Sequence, residues 1–230
     1  MPTAAPRIFA VGDIHGCFNK LETLLKRLPF HRETDTLVFL GDYINRGPDS
    51  KKVLDLLIEV KETCSNAIFL KGNHEQALLE YHATGNADTL SMLREMGIAA
   101  TIDSFGSTVR QLQGLSTFSS AQREFLLSLA FAYIADKTVF THADINMEII
   151  GAMENGVYDQ SDNELAESML LSSRRLTMPN AATYGYTMVF GHTPFELPLV
   201  LPDRIGIDTG AVYGNFLTAV ELPARNFYHA

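Results

Sequence analysis

The sequence predicts a mixed α/β fold in which two β-sheets pack face to face with helices outside, and three observations carry that prediction. Short, unbroken apolar runs rich in β-branched and aromatic residues recur at 8–11, 37–40, 68–70, 139–140 and 188–190, the pattern of strands buried on both faces. Helical patterns separate the first three runs. Short segments near the C-terminus alternate with Pro-Asp and Gly-rich turn signals and read as antiparallel strands.

The elements follow in order. Leu21, Leu24, Leu25 and Leu28 recur at i, i+3, i+4 and i+7, one face of a helix that Pro29 ends. A second helix is expected over 50–63, with Pro48-Asp49-Ser50 as its start signal and Val53, Leu57 and Val60 as its apolar stripe. Asp42 lies 29 residues after Asp13, and Asn73 lies 31 after Asp42, the length of a βαβ crossover. From about 81 to 135 the pattern suggests a helical insertion packed over the sheet near the site. Within it, 90–96 and 121–130 are helical and 101–113 is loop or weak helix. A helix after Asp162 carries Leu165, Met169 and Leu170 and ends at Ser172-Ser173-Arg174-Arg175. Strands are expected at 199–202, 204–208 and 216–222. No repeat, linker or low-complexity stretch divides the chain, so residues 1–230 are read as one domain.

Composition narrows the function classes. The formal net charge of −9 argues against a protein held on duplex nucleic acid or anionic lipid by a bulk positive field. It leaves room for a local site that takes phosphate through metal ions. No apolar run approaches the roughly 20 residues of a membrane span. Residues 1–7 show no secretory pattern, and Cys17 and Cys64 form neither a Cys-x-x-Cys pair nor a disulfide framework. A cytoplasmic enzyme is the expectation.

The chemistry sits at the ends of the apolar runs, the edge where open α/β sheets bind ligands. Asp13, His15, Asp42, Asn73, His142 and His192 are six oxygen or imidazole donors, each from a separate strand end except the Asp13/His15 pair. In Asp-x-His the period of two points both side chains the same way, so both reach one ion. Donors without thiolate suit Mn²⁺, Fe or Zn²⁺. A central carboxylate such as Asp42 can bridge two ions about 3.5–4 Å apart, the spacing of two-metal hydrolases. Any one of these residues alone would read as a turn, cap or packed side chain. Four of the seven histidines at strand ends are hard to explain that way. Arg46, in a Gly-Pro turn at the same edge, is placed to hold phosphate oxygens. Arg174 or Arg175 could add a second clamp or serve a helix dipole. His74, beside Asn73, is a candidate general acid.

Gly12-Asp13-Ile14-His15-Gly16, Gly41-Asp42-Tyr43-Ile44-Asn45-Arg46-Gly47 and Gly72-Asn73-His74-Glu75 resemble the three signature blocks of the phosphoprotein phosphatase family of calcineurin-like metallophosphoesterases, in its bacterial serine/threonine phosphatase form. His142-Ala143 and Gly191-His192-Thr193 resemble its later histidine motifs, and residues 207–214 its C-terminal strand region. The resemblance implies a β-sandwich flanked by helices and a centre of two divalent ions, usually Mn²⁺. By position, Asp13 and His15 would hold the first ion, Asp42 would bridge, and Asn73, His142 and His192 would hold the second. Arg46 and His74 match the phosphate-binding arginine and the general acid, and Leu170-Leu171-Ser172-Ser173-Arg174 resembles the block carrying a second arginine, which favours Arg174 over Arg175.

Two positions depart from the family pattern. Asn45 replaces the Asp that normally pairs with the third-block histidine. It is expected to orient His74 by accepting a hydrogen bond, without charge. Ser172 replaces the usual Trp. The first departure also resembles symmetrical dinucleoside tetraphosphate hydrolases, although Glu75 follows the protein-phosphatase form. The expected function is hydrolysis of phosphoserine or phosphothreonine in proteins by direct attack of a metal-bridging hydroxide. The alternatives are symmetrical hydrolysis of a dinucleoside tetraphosphate and a catalytically weak metal-binding interaction protein.

Overall fold

A computed structural model describes residues 6–145, 156–158, 170–172 and 185–230. The chain alternates at first: β1 (Ile8–Val11), α1 (Phe18–Arg27), β2 (Thr36–Phe39), α2 (Ser50–Thr63), β3 (Ala67–Phe69). Five helices follow: α3 (Asn73–Thr84), α4 (Ala87–Glu95), α5 (Ile98–Ser104), α6 (Val109–Gln113) and α7 (Ser120–Leu127). The remaining strands are β4 (Ala132–Ala135), β5 (Thr138–Thr141), β6 (Gly156–Tyr158), β7 (Thr187–Phe190), β8 (Leu199–Val200), β9 (Arg204–Gly206), β10 (Thr218–Leu222) and β11 (Asn226–His229).

They form two mixed sheets, ordered β11-β10-β1-β2-β3 and β6-β4-β5-β7-β9-β8. The strand period of two sorts the core into layers. Ala10, Val38, Phe140 and Val189 point between the sheets, while their neighbours Phe9, Val11, Leu37 and Phe39 meet the helices. Val139, Met188 and Phe190 pack on the far side of the second sheet with Leu170 and Leu171. Each Val, Leu, Met or Phe among them, fully buried, stabilises the fold by roughly 1.5–3 kcal/mol. Strands β1, β2 and β3 run parallel, as do β5, β7 and β9. Their carboxyl ends deliver the candidate residues to one edge.

The first two helices stand where the apolar spacing puts them. Asp49 precedes α2 as the sequence suggests, but its side chain makes no cap bond; it pairs with Lys52 at 2.7 Å. Elsewhere the structure departs from expectation. Helix α3 begins at Asn73, inside the third block, and its buried face includes His74 and Glu75. Two polar residues on that face hide the apolar stripe. The helix expected over 121–130 ends at Leu127, because Ala130 turns extended to bridge Leu70. The stretch 101–113 holds the end of α5 and all of α6. The tail strands are not one antiparallel set. β8 and β9 pair antiparallel in the second sheet, whereas β10 lies in the first, antiparallel between β1 and β11. The glycine-containing segment between β9 and β10 therefore crosses from sheet to sheet. The helix expected after Asp162 lies outside the described residues except for Leu170, Leu171 and Ser172, which are helical; Arg174 and Arg175 also lie outside them. No helix among the described residues is long and apolar enough to cross a membrane.

Candidate metal centre

The loops after β1, β2 and β3 are bound to one another before any side chain is considered. The backbone N–H groups of Ile14 and His15 both donate to the Asp42 carbonyl (3.1 and 2.7 Å), and Gly16 N–H donates to Tyr43 O (2.9 Å). Gly16 and Gly47 pass so closely that a Cβ on Gly47 would lie 2.0 Å from the His15 carbonyl oxygen. Glu75, fully buried, accepts the backbone N–H groups of Gly72, Asp42, Tyr43 and Ile44 at 2.9–3.2 Å. One carboxylate thus ties the third block to the second. His15, Asp42, Asn45, Arg46 and His192 all have positive φ, five of the nine such non-glycine residues described. Backbone conformations that L-residues avoid concentrate where function resides.

The structure brings Asp13, His15, Asp42, Asn45, Arg46, Asn73, His74, His142 and His192 to the same edge. His15 Nδ1 donates to the Ile44 carbonyl (3.0 Å), which turns the Nε2 lone pair inward, 3.3 Å from Asp42 Oδ2. Arg46 Nη1 donates to that Nε2 at 2.7 Å. His142 Nδ1 donates to Leu40 O (2.8 Å), so its Nε2 faces Asn73 Oδ1 at 3.0 Å and Asp42 Oδ1 at 3.5 Å. His192 Nδ1 lies 3.1 Å from the same Asn73 oxygen, and the His192 backbone N–H donates to Asp13 at 3.1 Å. Asp42 is shared by two sets of mutually close donors, Asp13–Asp42–His142 and His15–Asp42–His74.

This arrangement fits divalent cations. Burial, reinforced by Asp208 and Asp42, holds the Asp13 carboxyl well above its usual range, and burial raises Asp42 to about 7. Burial and the Arg46 charge hold His15 neutral, with its pKa lowered to about 3; burial lowers His142 to about 4. The neutral His142 Nε2 therefore aims a lone pair at carbonyl and carboxylate oxygens. Acceptors facing acceptors in a buried pocket are costly unless a cation lies among them. His74 Nε2 is also buried, with no hydrogen-bond partner among the described residues. Burial, then His15 and Arg46, keep that imidazole neutral.

Three contributors were not assigned a role from sequence. Glu75 was a block marker, and nothing local shows that it collects four N–H groups. Asp208 follows β9 as the other candidates follow their strands, and its charge acts on Asp13; the strand-end pattern was enough to find it. Thr101 bonds Asn45 from α5, and a contact across 56 residues leaves no local trace.

A fold of two mixed sheets with acidic and imidazole donors at one edge defines a class of phosphohydrolases, and the chain belongs to it: residues 6–211 match the calcineurin-like phosphoesterase family. It is a metallophosphoesterase-type hydrolase. Among its relatives, the asymmetrical bis(5′-nucleosyl)-tetraphosphatase PrpE of Oceanobacillus iheyensis is 30% identical, over 96% of this chain and 90% of that protein. The crystal structure of a putative diadenosine tetraphosphatase covers 100% of this chain and 95% of its own at 23% identity and a TM-score of 0.66. A cold-active protein-tyrosine phosphatase from a Shewanella species shares the fold at 17% identity and a TM-score of 0.68, covering 98% of this chain and 80% of that one.

Proposed function

We propose that the protein hydrolyses a phosphoanhydride bond in a dinucleoside polyphosphate, the second of the two substrate classes expected from sequence. The observation that carries this reading is the near full-length similarity to relatives named as bis(5′-nucleosyl)-tetraphosphatases. The site supports it in chemical terms. The partner of His74 is an amide, so no charge stabilises an imidazolium, and a protonated reservoir for a poor leaving group is lacking. A nucleotide leaving through a phosphate oxygen needs little protonation, whereas a serine alkoxide needs it badly.

Asp13, His15, Asp42, Asn73, His142 and His192 would hold two divalent ions, with Asp42 between them, and Mn²⁺, Fe and Zn²⁺ all suit these donors. When bound, such ions neutralise phosphoryl charge and lower the pKa of water. The chain's own groups supply the rest. Leu40 and Ile44 carbonyls fix the tautomers of His142 and His15. Arg46 presents a guanidinium for phosphate oxygens beside His15, within 5.7 Å of the exposed Tyr213 ring. His74 directs its outer nitrogen at the centre. Arg174 is proposed as a second phosphate contact on its sequence position alone.

The test is a panel of diadenosine tetraphosphate, phosphoserine peptide and an aryl phosphate, with Mn²⁺ returned to metal-free protein. The dinucleotide is expected to give the highest kcat/KM by about a hundredfold or more, a difference of about 2.7 kcal/mol. Its products separate the cleavage modes: two ADP for symmetrical cleavage, AMP and ATP for asymmetrical. Preference for the phosphopeptide would restore the first substrate class.

A further inference from the structure

Asn45 is fully buried and its side chain joins two elements. Nδ2 lies 2.9 Å from His74 Nδ1, and Oδ1 lies 2.9 Å from Thr101 Oγ1 on α5. Thr101 is itself fully buried; its Oγ1 accepts the Asn45 backbone N–H (2.9 Å) and lies 3.0 Å from Ser50 Oγ. A hydroxyl has one proton to give. Thr101 Oγ1 donates that proton to Asn45 Oδ1, leaving its second lone pair for the Ser50 hydroxyl. The amide is then fixed with Nδ2 toward His74, and an NH₂ group only donates. His74 Nδ1 must accept, so the ring proton sits on Nε2, a buried atom without a hydrogen-bond partner among the described residues that faces Asp42 Oδ2 from 3.8 Å.

We propose that Thr101 is a positioning residue that acts through Asn45 to hold His74 as the Nε2–H tautomer, giving the centre a neutral N–H donor for a phosphate oxygen. This reverses the polarity expected from sequence, in which Asn45 accepts from His74. A neutral imidazole in this role stabilises developing negative charge by hydrogen bonding, without handing over its proton. The helical segment after α3 thereby enters the chemistry through one hydroxyl. The role rests on the centre being the phosphohydrolase site proposed above, but the tautomer does not.

Nitrogen-15 NMR of the histidine rings in the full-length, metal-free protein reads the tautomer directly, with His74→Asn identifying the signal. The native protein and Thr101→Ser are expected to show His74 protonated at Nε2. Thr101→Val is expected to shift the population toward Nδ1. In the Mn²⁺-loaded protein acting on diadenosine tetraphosphate, Thr101→Val should lower kcat about tenfold with KM changed less than about twofold, while Thr101→Ser stays within about twofold of the native rate. Added to His74→Asn, Thr101→Val should cost little more. A native His74 protonated at Nδ1 overturns the proposal, as does a Thr101→Val cost that persists undiminished in the His74→Asn background. If Thr101→Val fails to fold, the native spectrum still decides the tautomer and Thr101→Ala takes the place of Thr101→Val in the comparison. A confirmed tautomer with turnover indifferent to His74→Asn would overturn the positioning role of Thr101 in turnover and locate the fault in the site assignment.

Discussion

The loops of the first sheet and those of the second contribute to the same centre but are built differently. After β1, β2 and β3 the loops hold one another through backbone bonds, the Glu75 carboxylate and the Asn45–Thr101 contact. The residues after β5 and β7 lean on that assembly. His142 is oriented by the Leu40 carbonyl, His192 by the Asp13 carboxylate, and both rings meet Asn73. Among the described residues, one backbone bond links the two later loops, from Gly191 N–H to His142 O at 2.9 Å. The first sheet thus forms a self-supporting frame with the polar machinery inside it, and the second sheet adds the candidate ligands His142 and His192 to that frame. Damage to the frame should reach both metal positions; damage to the second sheet's residues should stay local.

The largest expected effect tests that asymmetry at Asp42, whose Oδ2 faces His15 and whose Oδ1 faces His142. Asp42→Asn should remove most of the bound metal and lower kcat by about a thousandfold. His142→Asn should leave about one ion per chain and cost about a hundredfold. Elemental analysis with parallel kinetics checks both. If Asp42→Asn keeps two ions and full turnover, Asp42 does not bridge.

Glu75 tests the frame without replacing a proposed ligand. In Glu75→Gln an NH₂ group must face backbone donors that now meet a carboxylate, and because each oxygen accepts two of them, two N–H groups lose their acceptor. The metal-free protein should lose about 1–3 kcal/mol of stability in urea unfolding, against under about 1 kcal/mol for His192→Asn. Equal losses would mean that the two sheets hold their loops alike and would break the comparison.

The same division explains what was legible in the sequence. An apolar run followed by Asp, Asn or His is a local pattern, so the strands and the six donors could be read directly from it, and Asp208 could have been. Helix α3 was hidden because its inward face carries His74 and Glu75, so the residues that make the site erase the amphipathic signal. The placement of β10 beside β1 is a pairing of residues more than 200 positions apart, such as Ile8 with Leu222, and no local pattern encodes it. The frame itself, Glu75 gathering N–H groups and Thr101 reaching Asn45, is three-dimensional bookkeeping of hydrogen bonds. The sequence puts phosphoprotein first because Glu75 follows the protein-phosphatase form, and only Asn45 points to the nucleotide hydrolases; similarity along nearly the whole chain to relatives named as tetraphosphatases favours that alternative.

The smallest expected effect concerns Asn45, where the frame departs from its family. In Asn45→Asp the side chain becomes acceptor-only. Thr101 can still donate to one oxygen, but the other now faces His74 Nδ1, which must acquire a proton to bond it. Asp tolerates the left-handed backbone that Asn45 occupies at φ 71°, so the loop itself has little reason to move. The new charge favours an imidazolium beside Arg46 and the two cations proposed for the centre, which oppose it, so the gain in proton-donating power is modest. It should appear only where the leaving group needs a proton. Turnover of phosphoserine peptide should rise by about threefold, equivalent to about 0.65 kcal/mol, while an aryl phosphate and diadenosine tetraphosphate change by less than about twofold. Equal responses of all three substrates would show that His74 does not act at the leaving oxygen. A rise confined to the dinucleotide would show instead that its departing phosphate draws on His74 for protonation, against the chemistry proposed for this centre.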